Sequence, residues 1–339
     1  MLGALAMGSD PQRHRFFIGA QGAHLAHSIG ATLEAIGGPQ TGAVFVKPNF
    51  TYPFEKPGVT TTRAFLVALV EALVDRGVER ICIGEGEGGY NAFSMDKTFA
   101  AFRLEDLERR YGIEVANVSH WPSREFLVPA RGRSYRVRFP SPVLDDFDAV
   151  VSVPVPKVHC MTTISGAAKN LWGLLQDNMR LQLHPALPQI LCQVTSALPP
   201  ALAVCDGTHG LTRNGPMVDG VTIGLGWVAG SDDLWLHDLM MCKLMRMPEG
   251  KVGHLAYARA RGVAPAVEKC DIVPGWEAFV DNRFYLRKNA WNRVAKAAWY
   301  SPALNQLIYT SKASGILHKA MYTVRRKSPD LLARGVDWD

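Results

Sequence analysis

Charged and histidine side chains recur where short apolar runs of this sequence end. Lys47 and Asn49 follow AVFV, Glu85 and Glu87 follow ICIG, Lys157 and His159 follow PVP, and Asp206 and His209 follow ALAVC. Asp232 closes the run GVTIGLGWVAGS in the same way. Lys47 with Asn49, Glu85 with Glu87, and Lys157 with His159 are spaced i, i+2, which puts both members of a pair on one side of an extended segment. A single pocket edge can then collect them all. Ionisable groups gathered in this way shift one another's pKa values and suit proton transfer. Glu85, Glu87, His159 and Asp206 are therefore candidates for acid, base or metal ligand. Lys47, Asn49, Lys157, Lys169 and Asn170 are candidates for holding a small anionic substrate, a carboxylate or a phosphate. The alternative is a satisfied network of ion pairs beneath the loops.

A divalent transition metal is a further candidate cofactor, with His159, His184, His209 and Asp232 as ligands, although no H-E-x-x-H or close histidine pair occurs. Lys169 and Asn170 fall in the first turns of an expected helix, where free N–H groups and the macrodipole favour an anion.

The stretch RICIGEGEGGYNAFSM carries glycines at 84, 86 and 89, the spacing of a phosphate-cradling turn. A pyrophosphate would have to sit beside Glu85 and Glu87, and two like charges about 6 Å apart repel by about 3 kcal/mol at an effective dielectric of about 20. The carboxylate that would hold a ribose after the following strand is also missing, since that strand ends ANVSH. No NAD site is expected, and the glycines are read as making room for the two glutamates.

Positioning these residues requires strands that alternate with helices. Residues 43 to 50, 79 to 87, 113 to 119, 148 to 159, 201 to 210 and 220 to 232 read as strands. Residues 60 to 77, 95 to 112, 164 to 179, 188 to 198 and 232 to 247 read as helices, and 125 to 140 as a hairpin added to the sheet. The expected fold is α/β, an open and mostly parallel sheet with helices on both faces, in a body from 12 to 275. Ligands of such sheets bind beyond the carboxyl ends of the strands.

The 339 residues are 47% apolar and 20% charged, an ordinary globular composition, and no run of roughly 18 apolar residues suggests a membrane span. The opening MLGALAMG is too short for a secretory signal and lacks a charged leader, so a cytoplasmic location is expected. The six cysteines form no C-x-x-C and sit mostly in apolar runs, which suits structural thiols. The net charge of +6 is concentrated at the end: eleven Lys or Arg stand between Arg283 and Arg334 against Asp330 alone. Residues 276 to 339 are read as a basic helical extension that either caps the body or lies on an anionic membrane surface. Nucleic acid is not an expected partner, because no recognised fold accompanies the charge.

Through KPNF, KVH, AAKNLWGL, CDG and AGSDD the sequence resembles the bacterial and archaeal family catalogued as domain of unknown function 362, over roughly residues 43 to 245. The resemblance implies the α/β fold and gives no reaction. Many relatives, often labelled iron-sulfur centre proteins, carry a ferredoxin lobe that is missing here, so no iron-sulfur cluster is expected. The order His159, Ser165-Gly166, Lys169, His184 is similar in pattern to the nickel-dependent lactate racemases, which implies Lys and His side chains anchoring a cofactor and relaying protons. The expectation is an enzyme of isomerase, racemase or lyase type, with a redox accessory or a non-catalytic docked protein as the alternative.

Overall fold

The central strands run largely apolar because both faces of the sheet are covered there. The computed structural model of the chain describes residues 13–88, 93–177, 179–217, 220–287, 296–297 and 299–309. Strand β1 (Arg15–Ala20) and helix α1 (Leu25–Ile36) come first, then β2 (Ala43–Lys47), α2 (Arg63–Asp75) and β3 (Arg80–Glu85). Helices α3 (Met95–Ala101) and α4 (Glu105–Tyr111) lead to β4 (Glu114–Asn117). The hairpin β5 (Ser123–Ala130) and β6 (Arg133–Pro140) is followed by α5 (Ser141–Asp145) and β7 (Ala149–Ser152). Two short strands, β8 (Val158–His159) and β9 (Thr163–Ile164), precede α6 (Ala167–Asn170) and α7 (Leu187–Thr195). The long pair β10 (Ala201–Thr212) and β11 (Val221–Ser231) is followed by α8 (Leu234–Leu244), α9 (Gly253–Ala260) and β12 (Asp271–Ile272).

Eight strands form one sheet in the order β12-β1-β11-β10-β7-β2-β3-β4, and β11 alone runs against the rest. Alternate residues of the central strands enter two separate cores. Val44, Val46, Ile81, Ile83, Val151 and Val204 face α1, α2 and α3, while Phe45, Cys82, Val150 and Cys205 face the hairpin and α6 to α9. Period-2 alternation between two apolar layers accounts for the unbroken hydrophobic runs.

Local chemistry sets the element ends. The Thr62 side chain accepts from the Phe65 N–H and opens α2, and Gly37, at φ +69°, closes α1. Pro48 follows β2 directly, and Pro154 and Pro156 take the chain out of the sheet after β7.

Several expected elements differ. The first strand and helix, residues 15 to 36, were not anticipated. The helix expected over 95 to 112 is two helices, split at Arg103, whose φ is +52°. The helix expected over 164 to 179 is the four-residue α6, running into a 3-10 turn at Leu171–Leu174, with a second 3-10 segment at Arg180–Ala186. Gly173, within that 3-10 turn, packs without a side chain against Glu85 and Lys47. The hairpin forms its own two-stranded sheet rather than extending the main one, turning at Arg131 and Gly132 with positive φ at both. Within the expected basic extension, the helix Pro302–Tyr309 is described. Residues 310 to 339, and Gly89 of the glycine-rich stretch, lie outside the described residues.

Candidate functional site

Strands β2 and β3 are adjacent and parallel, so Lys47 and Glu85 emerge together at the carboxyl edge of the sheet. Lys47 Nζ donates to Glu85 Oε2 at 2.5 Å, to the Pro48 carbonyl at 2.7 Å and to Asn170 Oδ1 at 3.5 Å. Asn170 Nδ2 donates in turn to the Lys47 carbonyl and to Ser152 Oγ, tying α6 to the ends of β2 and β7. A Cβ on Gly173 would stand 2.6 Å from Glu85 Oε1. Room for Glu85 is thus made by Gly173, whereas Gly84 and Gly86 admit the Phe45 ring and the Gly173 carbonyl.

Lys157 reaches the same edge from the loop after β7. Its Nζ donates to Asn49 Oδ1 at 2.9 Å, Thr51 Oγ1 at 3.1 Å and the Val59 carbonyl at 2.6 Å. An ammonium has three N–H donors. Lys47 and Lys157 each direct all three at protein acceptors. Lys169 is different: among the described residues no acceptor and no carboxylate meets its Nζ. Burial brings its pKa down to about 8, only partly offset by Cys160. Burial likewise lowers Lys47 against the opposing pull of Glu85, and it holds Lys157 well below the ordinary lysine range with help from Lys169 and Lys47.

Three buried histidines feel the Lys169 charge. His159 Nδ1 accepts from the Met161 N–H at 3.1 Å, which leaves the ring proton on Nε2. Burial, then Lys169 and Lys157, keep His159 neutral by pulling its pKa well below 6.5. His184 packs between Trp172 and Trp299, with ring centroids 5.0 and 4.3 Å away, and its Nδ1 meets the Leu181 carbonyl. Burial, then Lys169, lowers it to about 3. His254, on α9, has no partner at either ring nitrogen, and burial lowers it to about 4 while Asp238 opposes and Lys169 assists. Arg180 completes the cationic set, donating to the carbonyls of Gly173, Leu175 and Glu87.

The structure separates other candidates from this group. β3 ends at Glu85, so the alternation that would pair it with Glu87 stops there. Glu87 turns away, accepting from the Met95 N–H at 3.0 Å and Asn117 Nδ2 at 2.7 Å at the start of α3. Asp206 Oδ2 accepts from Thr62 N and Thr62 Oγ1, both at 2.8 Å, and so anchors the entry to α2. His209 stands on β10 opposite Gly224, just past a register shift, with a buried Nδ1 that has no partner. Asp232 lies at the opposite edge of the sheet, because β11 is antiparallel to β10. There it accepts from the Arg15 N–H at 2.8 Å and sits 3.4 Å from His14. Among the described residues, no three His, Cys, Asp or Glu are grouped to hold a metal ion.

The helix start expected to receive a substrate anion is already capped. Asp238, on α8, accepts from the Ala167 N–H at 2.5 Å and the Ala168 N–H at 3.2 Å. His237 Nδ1 lies 2.9 Å from the same carboxylate. A Cβ on Gly166, whose φ is +73°, would meet Asp238 at 2.4 Å. Asp238, Arg180 and His254 were missed in the sequence, whereas Ser165, whose hydroxyl is unpartnered, was named there only through a resemblance of pattern. Gly166 was the available signal, but its pairing with a distant acid is invisible without the fold.

The chain is similar to known proteins over part of its length. The chain is 25% identical over 127 residues to a thylakoid-associated protein of Synechocystis sp., a match covering 35% of this chain and 39% of that one. A solved protein from Thermotoga maritima matches at a TM-score of 0.40 and 14% identity, covering 61% of this chain and 55% of that one. The chain thus spans well under two thirds of either relative's length. The model of the family described as domain of unknown function (DUF362) matches residues 44–243, more than half of the sequence, and the chain belongs to that family.

Proposed function

We propose that the protein is an enzyme that moves a proton on a small anionic molecule, a carboxylate or a phosphate ester, at Lys169. The observation that carries this reading is the contrast among the three lysines: the donors of Lys47 and Lys157 are fully engaged, and the partly buried Lys169 has no protein partner at Nζ among the described residues. A free amine that titrates near pH 8 can accept a proton at physiological pH and return it. His159, neutral and protonated at Nε2, is suited to donate a hydrogen bond to the negative charge that develops on substrate oxygen. Lys157, whose charge is coupled to both Lys169 and His159, is a positioning residue that adds a positive field there.

The test is solvent exchange. The full chain is incubated in D2O with a panel of small carboxylates and phosphate esters, and loss of carbon-bound hydrogen is followed by NMR. The expected result is exchange on at least one compound, abolished in Lys169→Met and reduced about 100-fold or more in His159→Ala. Equal exchange in Lys169→Met would remove the proposal.

A second reading is peripheral association with an anionic membrane. It is supported by the basic excess between Arg283 and Arg334 and by the name of the Synechocystis relative. Among the described residues no helix is long and apolar enough to cross a membrane. Flotation with anionic and with zwitterionic vesicles, comparing the full chain with one ending at Asp281, tests it. Equal flotation of both chains would count against it.

A further inference from the structure

A cleft of about 810 Å³ is lined in part by the Arg180–Ala186 segment, and none of Lys47, Lys157, Lys169, His159, His184 or His254 lines it. The hairpin strand β6 forms one wall, with Arg133, Tyr135, Arg136 and Arg138, and the helix Pro302–Tyr309 contributes Asn305 to the other. Gln182, Leu183 and Pro185 of the shared 3-10 segment form its floor, two residues or fewer from Arg180 and His184.

The lining favours anions. Arg133 lies over the Tyr135 ring, 5.3 Å from its centroid, and has no carboxylate partner among the described residues. Arg138 makes one long contact, 3.4 Å, to the Gln176 carbonyl. Arg136 faces Glu125 at 3.4 Å, an exposed and loose pair. The second acid of the cleft, Asp177, is already engaged by the Met179 N–H at 2.8 Å and Gln182 Nε2 at 2.7 Å. Arg131, at the hairpin turn, donates to the carbonyl of Pro185, one of the lining residues.

We propose that this cleft binds a small molecule carrying a di- or triphosphate group, at a site separate from the one built around Lys169. Guanidinium groups present planar pairs of donors that match phosphate oxygens. Arg136 and Arg138 stand two positions apart on one strand face, about 7 Å along the chain. Linked phosphates match that spacing better than one carboxylate does. The volume is that of a pocket for a nucleotide-sized ligand, typically some 300 to 1,000 Å³. The inference does not depend on the reaction proposed above. Because both sites use the Arg180–Ala186 segment, a ligand ordering one face of it also orders the backbone that carries His184.

The probe is inorganic triphosphate, titrated calorimetrically into the full chain at fixed ionic strength. One saturable site is expected. Arg133→Gln and Arg138→Gln should each weaken it about tenfold, the loss of one charge-assisted hydrogen bond. Arg124→Gln is the control: it lies on the same hairpin outside the cleft, pairs with Asp145 at 2.9 Å, and should change affinity less than about twofold. Lys169→Met should leave binding intact. Circular dichroism of each variant confirms that these surface changes leave the fold in place. Absence of saturable binding overturns the inference. So does binding that is lost in Lys169→Met but kept in the arginine variants, and so does equal weakening by Arg124→Gln.

Discussion

Lys47, Lys157 and Lys169 reach the same edge of the sheet, yet they answer different physical problems. Lys47 and Glu85 are both buried and neutralise one another. Lys47→Met therefore leaves a buried carboxylate without its cation and should cost about 3–5 kcal/mol, read from the urea midpoint. Adding Glu85→Gln to that variant should recover part of the loss, because the desolvation of the orphaned charge disappears with it. Lys169 should behave in the opposite way. Its folded pKa of about 8 lies below the ordinary 10.5, so the unfolded chain holds that proton more tightly. The charged form is a stability cost at pH 7, and the cost shrinks as pH rises through 8 toward 10.5. Lys169→Met should raise stability at pH 7 by on the order of 2 kcal/mol, with the advantage fading above pH 8. Stability gained where proton exchange is lost would be the signature of a functional residue. The histidines give a second pH dependence. His184 and His254, lowered to about 3 and about 4, stay neutral in the fold while the unfolded chain takes up protons below about 6.5. Stability should therefore fall on acidification from pH 6.5 to 4, by up to about 1.4 kcal/mol per pH unit for each histidine. Urea titrations of the wild type and His184→Gln at pH 7 and 5 check this, the variant having the shallower loss.

At the scale of elements, the site depends on short, irregular pieces rather than on long helices. Segment 164 to 179 reads in the sequence as one helix. The fold instead holds it in a four-residue helix and a 3-10 turn, fixed by Asp238 at one end and by Gly173 against Glu85 at the other. Gly173→Ala should destabilise the protein by about 1–3 kcal/mol, since an added methyl would overlap Glu85 Oε1 and Lys47. Thermal unfolding of this variant beside Gly132→Ala separates that overlap from the glycine itself: a Cβ at position 132 meets open space, leaving only the backbone strain of φ +76°. Asp206 illustrates the converse. Its place at a strand end suggested catalysis, and its hydrogen bonds to Thr62 give it a capping duty that sequence spacing could not reveal.

At the scale of the whole molecule, strand direction decides which strand-end residues can meet. A reversed β11 carries Asp232 to the edge away from Lys169. Asp232→Asn should then leave exchange at the lysine site within about twofold of wild type, measured by the same D2O assay, because exposed charges beyond about 10 Å are screened. The sequence by itself determined the α/β class, the succession of most strands and helices from residue 43 onward, and the appearance of Lys47, Glu85 and Lys157 at strand ends, because apolar periodicity and punctuation by Pro and Gly are local properties. Only the tertiary structure decided that β11 is antiparallel, that Glu85 pairs with Lys47 while Glu87 turns away, and that Lys169 alone of the three lysines keeps its donors free. Those outcomes depend on contacts between residues dozens to more than a hundred positions apart, whose geometry is set by packing two apolar layers against one twisted sheet, and no local pattern carries that information.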